Sequence, residues 1–81
     1  MKNVTVYSLP NCKNCNTAKR ELDKRNIEYA TIDLSEDAKA LATIKWRGFK
    51  SAPVVKSHNG VKVEWMDLAR FMDAINAFKA N

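Results

Sequence analysis

Eighty-one residues, 46% of them hydrophobic, suffice for one compact core, and the chain is expected to form a single domain over residues 1–81. Fourteen Lys and Arg against nine Asp and Glu give a net charge of +5, which fits a solvated surface or attraction to an acidic partner. No apolar run approaches the ~18 residues of a membrane span, and the alternating "MKNVTVYSLP" carries no signal-peptide core.

In chain order, "NVTVYS" places Val4 and Val6 on one side and reads as a strand that Pro10 and Asn11 break. From Cys12 or Lys13 to Arg25 the sequence favours helix, with Ala18 and Leu22 on one face and Asn26 as its C-terminal stop. "IEYATID" is a second strand. Ser35 is expected to cap the next helix, with Glu36 and Asp37 in its first turn, Leu41 and Ile44 facing inward and Gly48 ending it. "APVV" is a third strand opened by Pro53, whose missing N–H is tolerated at a strand start. Asn59-Gly60 signals a two-residue hairpin, which makes "VKVEW" an antiparallel fourth strand and places His58 in the turn. Asp67 can cap a last helix with an apolar stripe of Leu68, Phe71, Met72, Ile75 and Phe78.

This order predicts an α/β fold, a four-stranded mixed sheet with three helices on its two faces (βαβαββα). The first two strands and their crossover form a parallel βαβ unit. Its first turn, at the carboxyl end of strand one, is where open α/β sheets carry their chemistry. The chain's two cysteines, Cys12 and Cys15, both fall there.

A disulfide between them closes almost no loop, about 2 kcal/mol of chain entropy for four residues against roughly 3 for fifteen. Stability is therefore a poor reason for the pair, which leaves metal binding or redox chemistry. Structural zinc normally takes four ligands, and the chain offers no second C-x-x-C and only His58 besides. Redox exchange suits the pair better. Cys12 is expected at the helix N-terminus, where free N–H groups, the positive dipole end, Lys13, and the nearby Lys19 and Arg20 favour its thiolate. An ordinary thiol with a pKa of ~8.5 is only about 3% ionised at pH 7. Cys15, one turn inward, is expected to stay a thiol until it attacks Cys12 in a mixed disulfide. A reducing cytosol is the compartment this cysteine usage implies.

With these residues in place, the chain resembles the thioredoxin superfamily, and within it the small glutaredoxin-like NrdH-redoxins. The resemblance is carried by "VTVYSLPNCKNCNTAKREL", "GFKSAPVV" and the Trp of "EW", and it covers nearly the whole length. It implies a thioredoxin fold, Cys12 as nucleophile and Cys15 as resolving thiol, with the Cys12–Cys15 disulfide as the redox group and no bound cofactor. It further implies Pro53 as a cis-proline facing the pair, and Ser51 and Ala52 as backbone partners for an extended substrate. Lys13 and Asn14, between the cysteines, and Trp65 are the remaining candidates for partner contact. Trp65 is expected near the surface at the end of strand four, as a contact residue or as cover for the last helix.

NrdH-redoxins are reduced by thioredoxin reductase, a flavoenzyme using NADPH, and supply electrons to class Ib ribonucleotide reductase. Those partners are the ones the resemblance implies; a monomer is expected, with no membrane partner, for want of an apolar span, and no nucleic acid, for want of a recognised motif. Glutaredoxins hold glutathione with a Gly-Gly turn and an acidic residue after strand four; "EWMDLARF" has no Gly pair. The same segment departs from the family's W-S-G-F, and "CKNC" departs from its C-V-Q-C or C-M-Q-C. A glutathione-dependent glutaredoxin is the alternative within the fold. "NCKNCNTAKRELDKRNIEY" also resembles the Spx and arsenate-reductase-like branch, whose insertion this chain has no room for. A non-enzymatic thiol sensor or adaptor that binds an acidic partner is the alternative of a different class.

Overall fold

A computed structural model describes residues 3–59 and 61–77. Seven elements follow in the order β1 (Val4–Ser8), α1 (Lys13–Lys24), β2 (Tyr29–Asp33), α2 (Ala38–Trp46), β3 (Val54–Asn59), β4 (Lys62–Met66) and α3 (Leu68–Ala77). The sheet order is β2-β1-β3-β4. β1 pairs with β2 in parallel from Val4↔Tyr29 to Ser8↔Asp33, and with β3 antiparallel from Val4↔Ser57 to Tyr7↔Val54. β4 closes the hairpin from Asn59↔Lys62 to Val55↔Met66. This is the mixed, four-stranded α/β arrangement expected from the sequence.

Strand alternation splits the core in two. Val6 and Val55 point to one face, where they pack with Ala18 and Leu22 of α1 and Phe71 and Ile75 of α3. Tyr7 and Val54 point to the other, where they pack with Leu34 and with Ile44 of α2. Spacing explains each helix. In α1, Cys15, Ala18 and Leu22 recur at helical intervals and are its buried residues. In α3, Phe71 and Ile75 are buried and Leu68 and Met72 half-buried; Phe78 lies outside the described residues. No helix among the described residues is long and apolar enough to cross a membrane.

α1 and α2 end alike. Beyond α1, Asn26 takes φ 55°, and the Asn26 and Ile27 N–H groups donate to Asp23 and Leu22 carbonyls. Beyond α2, Gly48 takes φ 90°, and the Gly48 and Phe49 N–H groups donate to Lys45 and Ile44 carbonyls. Both are left-handed caps that satisfy the last-turn carbonyls, and in each the following apolar residue packs into the core served by its helix.

Two local expectations are corrected. Asp37, not Ser35, caps α2: its Oδ1 accepts the Ala40 N–H at 2.9 Å. Ser35 is already engaged, because Asp33 Oδ1 accepts both its N–H at 2.8 Å and its hydroxyl at 2.6 Å, closing a turn before the helix begins. His58 lies within β3, paired with Val63, and its N–H donates to the Asn3 carbonyl at 2.8 Å. Asn59 accordingly ends β3, and the turn through Gly60 lies outside the described residues. Asp67 caps α3 as expected, accepting the Arg70 N–H at 2.9 Å.

Candidate active site

Ser8 ends β1, and Leu9 to Asn11 turn the chain into α1. Asn11 makes that turn at φ 59°, a conformation Asn tolerates better than most residues. Cys12 then occupies the N-cap with extended dihedrals, φ −99° and ψ 108°. Its Sγ accepts the N–H of Cys15 at 3.1 Å, filling the role a Ser or Asp oxygen usually plays. Its carbonyl accepts the Asn16 N–H and starts the helical ladder.

The two thiols therefore differ by position. Cys12 is half-buried at the helix mouth, whereas Cys15 is 1% exposed and part of the α1 core face. Their Cα atoms stand 5.2 Å apart and the pair is joined as a disulfide. That span lies within the range disulfides ordinarily bridge, so the bond forms at the start of α1 without unwinding it. Lys13 and Asn14 are exposed. Lys19, which the sequence suggested would act on Cys12, lies close enough to Asp33 to help hold its carboxyl below the usual range. The larger causes at Asp33 are the hydrogen bonds from the Ser35 hydroxyl and N–H.

A second segment approaches the same end of the sheet. Tyr7↔Val54 is the last β1–β3 pair, so Pro53 stands beside Ser8, where β1 releases the chain toward Cys12. The Ala52–Pro53 peptide is cis and Pro53 is buried. Ser51 is exposed and Ala52 half-buried, and no hydrogen bond within the described residues engages their backbone groups. An extended chain can pair there. The register thus places Cys12, Lys13, Asn14 and Cys15, which follow the end of β1, and Ser51, Ala52 and Pro53, which lead into β3, at the same end of the sheet.

Trp65 was expected near the surface, as a contact residue or as cover for the last helix; it is half-buried and does not cover that helix. Its ring stacks on Tyr7, with centroids 5.6 Å apart, on the α2 side of the sheet, because it alternates with Met66, which faces α3. The Arg47 guanidinium carbon lies 4.3 Å and the Lys56 Nζ 5.0 Å from the same ring centroid. Tyr7 and Arg47 were not among the residues singled out from sequence. Alternation with Val6 was the available signal for Tyr7; nothing local signals Arg47. Burial pushes the Tyr7 phenol up, Asp37 pushes it further, and Arg47 pulls it back. Among the described residues, no group of three or more His, Cys, Asp and Glu side chains is placed to hold a metal ion.

The glutaredoxin family model matches residues 4–63. The chain is similar to the glutaredoxin-like protein NrdH of Salmonella typhimurium, 31% identical over 52 residues that span 64% of each protein. It is also similar to the NrdH protein of Lactococcus lactis subsp. cremoris, 35% identical over 64% of this chain and 72% of that one. In three dimensions it resembles the glutaredoxin-like NrdH-redoxin of Escherichia coli, with a TM-score of 0.76 and 25% identity over 100% of this chain and 99% of the other. The glutaredoxin of Brucella melitensis gives 0.63 and 25% over 91% and 82%.

Proposed function

The chain belongs to the glutaredoxin family, and from that premise we propose that it is a thiol–disulfide oxidoreductase that reduces protein disulfides and is recharged by thioredoxin reductase rather than by glutathione. One observation carries the chemistry: a half-buried Cys12 sulfur at a helix N-cap is joined to a buried Cys15 in the same first turn. In the reduced protein, the Cys12 thiolate attacks one sulfur of a substrate disulfide. That bond breaks, a mixed disulfide forms, and the substrate's other sulfur leaves as a thiolate. Cys15 loses its proton and attacks the Cys12 sulfur, releasing the second substrate thiol. Two electrons have passed to the substrate, and the Cys12–Cys15 disulfide remains. The reductase returns two electrons from NADPH and closes the cycle.

The donor assignment rests on the residues at the end of β4 and the start of α3. Close approach of glutathione's backbone calls for small residues there, yet Trp65, Met66 and Asp67 fill the segment. Trp65 is stacked on Tyr7, Met66 packs into the α1–α3 core, and the Asp67 carboxylate is engaged in capping α3. The similar Escherichia coli protein is described as having a thioredoxin-like activity profile, which supports the same assignment. Ser51 and Ala52 would receive the substrate segment as an added strand beside Pro53, with Lys13, Asn14 and Trp65 as partner contacts. Ribonucleotide reductase is the acceptor this reading favours, in the cytoplasm.

NADPH oxidation separates the two donors. With an insulin or ribonucleotide reductase disulfide as acceptor, thioredoxin reductase is expected to drive turnover far faster than millimolar glutathione with glutathione reductase. Comparable or faster turnover with glutathione overturns the donor assignment and makes the protein a glutaredoxin in function.

A further inference from the structure

The end of α2 and the adjoining face of the β3–β4 hairpin carry charged side chains that the exchange steps at Cys12 and Cys15 do not use. Trp46, the last residue of α2, is 87% exposed, well beyond what an indole in a packing role shows. Lys45, Arg47 and Lys50 surround it in sequence and are exposed. Arg47, which caps α2, and Lys56 from β3 both lie over the Trp65 ring, at 4.3 and 5.0 Å from its centroid. Among the described residues, the ion pairs are those of Lys24 and Arg25 with Glu21 and of Lys62 with Glu64. Lys45, Arg47, Lys50 and Lys56 therefore have no carboxylate within 4.0 Å among the described residues. Asp37 shares the surroundings of the Tyr7 hydroxyl with Arg47 but forms no ion pair with it.

Two cations held over one indole repel each other, and the aromatic ring offsets that only in part. An anion laid across them relieves the repulsion. We infer that this surface docks an acidic segment of the protein whose disulfide is reduced, with carboxylates on Arg47 and Lys56 and an apolar side chain against Trp46. The inference rests on the oxidoreductase reading above. A polypeptide fits better than a nucleic acid because the surface is continuous in sequence with the substrate strand. Lys50 leads directly into Ser51 and Ala52, so one extended chain can pair beside Pro53 and run on over Lys50 and Arg47. Exposed Trp and Arg at the centre of a patch are the residue types that dominate interface energies.

The test uses the full-length protein, reduced with dithiothreitol and freed of it, and follows its single-turnover oxidation. The oxidants are two disulfide peptides of equal length, one flanked by Asp and Glu and the other by Asn and Gln, and the neutral bis(2-hydroxyethyl) disulfide. At low salt the acidic peptide is expected to react about tenfold faster than its neutral twin, a preference that fades as ionic strength rises. Arg47→Gln with Lys56→Gln is expected to bring the two peptides together while leaving the rate with bis(2-hydroxyethyl) disulfide unchanged. At exposed positions where folding is not at risk, Lys45→Gln is expected to lower the preference severalfold, and Trp46→Ala to slow both peptides severalfold. Equal rates for the two peptides with the wild-type protein, or a preference that survives all of these substitutions, overturns the inference. So does single-stranded oligonucleotide binding to this surface that the acidic peptide fails to displace. A wild-type protein that leaves bis(2-hydroxyethyl) disulfide unreduced instead overturns the oxidoreductase reading, and the docking surface with it.

Discussion

The backbone N–H of Cys15 points at the Cys12 sulfur from 3.1 Å, so one cysteine supplies the hydrogen bond by which the other caps α1. In the reduced protein the same donor faces a thiolate, and a hydrogen bond to the charged form favours it. Cys12 in a Cys15→Ser variant is expected to be alkylated with an apparent pKa clearly below the ~8.5 of a free thiol. A rate profile with its midpoint at or above that value removes the case for an activated nucleophile.

Trp65 stacks on Tyr7 and lies under Arg47, so truncating it removes buried area and an aromatic pair together. Trp65→Ala is expected to cost about 2 kcal/mol in urea unfolding, and Trp65→Phe about half of that. An unchanged unfolding midpoint combined with slower turnover by the reductase would show that the ring serves contact alone.

At Gly48 the backbone is the only obstacle to a side chain. Its φ is 90°, yet an added Cβ would meet no atom within 4 Å. Gly48→Ala is accordingly expected to destabilise by about 1–2 kcal/mol through the left-handed conformation alone. A loss of about 3 kcal/mol or more in thermal unfolding, beyond the left-handed cost, would point to crowding that the structure does not contain.

Acid sensitivity arises from two carboxylates. The hydrogen bond from Arg25 holds Glu21 below its ordinary value of 4.5, and those from Ser35 hold Asp33 below 3.8. A depressed folded value means stability that is present above the unfolded value and lost as pH falls through the folded one. The Tm gap between the wild-type protein and Asp33→Asn is therefore expected to be open at about pH 7 and to close toward about pH 2. A gap that stays constant across that range would rule out the linkage.

How much of this was legible in the sequence depended on the reach of each interaction. The helix start at Cys12, the stops at Asn26 and Gly48, and the Asp67 cap are settled within a few residues, and all were readable from residue type and spacing. The cap of α2 was misread as Ser35 because three neighbouring polar residues compete, and the winner depends on Asp33 being fixed at the end of β2. Alternation divides Trp65 from Met66 but does not say which helix covers which face. Arg47 meets Trp65 only after α2 has crossed the sheet, a contact between residues 18 apart in sequence, and no local pattern encodes it.

β1 and β3 are the interior strands of the sheet, each hydrogen-bonded on both sides, and the two halves of the candidate site hang from their adjacent ends. In hydrogen–deuterium exchange, the amides of Val6 and Val55 will then be among the last to exchange, released only when the whole sheet opens, while β2 and β4 exchange from their free edges. Cutting the Cys12–Cys15 bond can loosen the Leu9–Asn11 turn without loosening either interior strand. Ser8 and Pro53, at the adjacent ends of those strands, consequently keep their spacing whether the disulfide is closed or open.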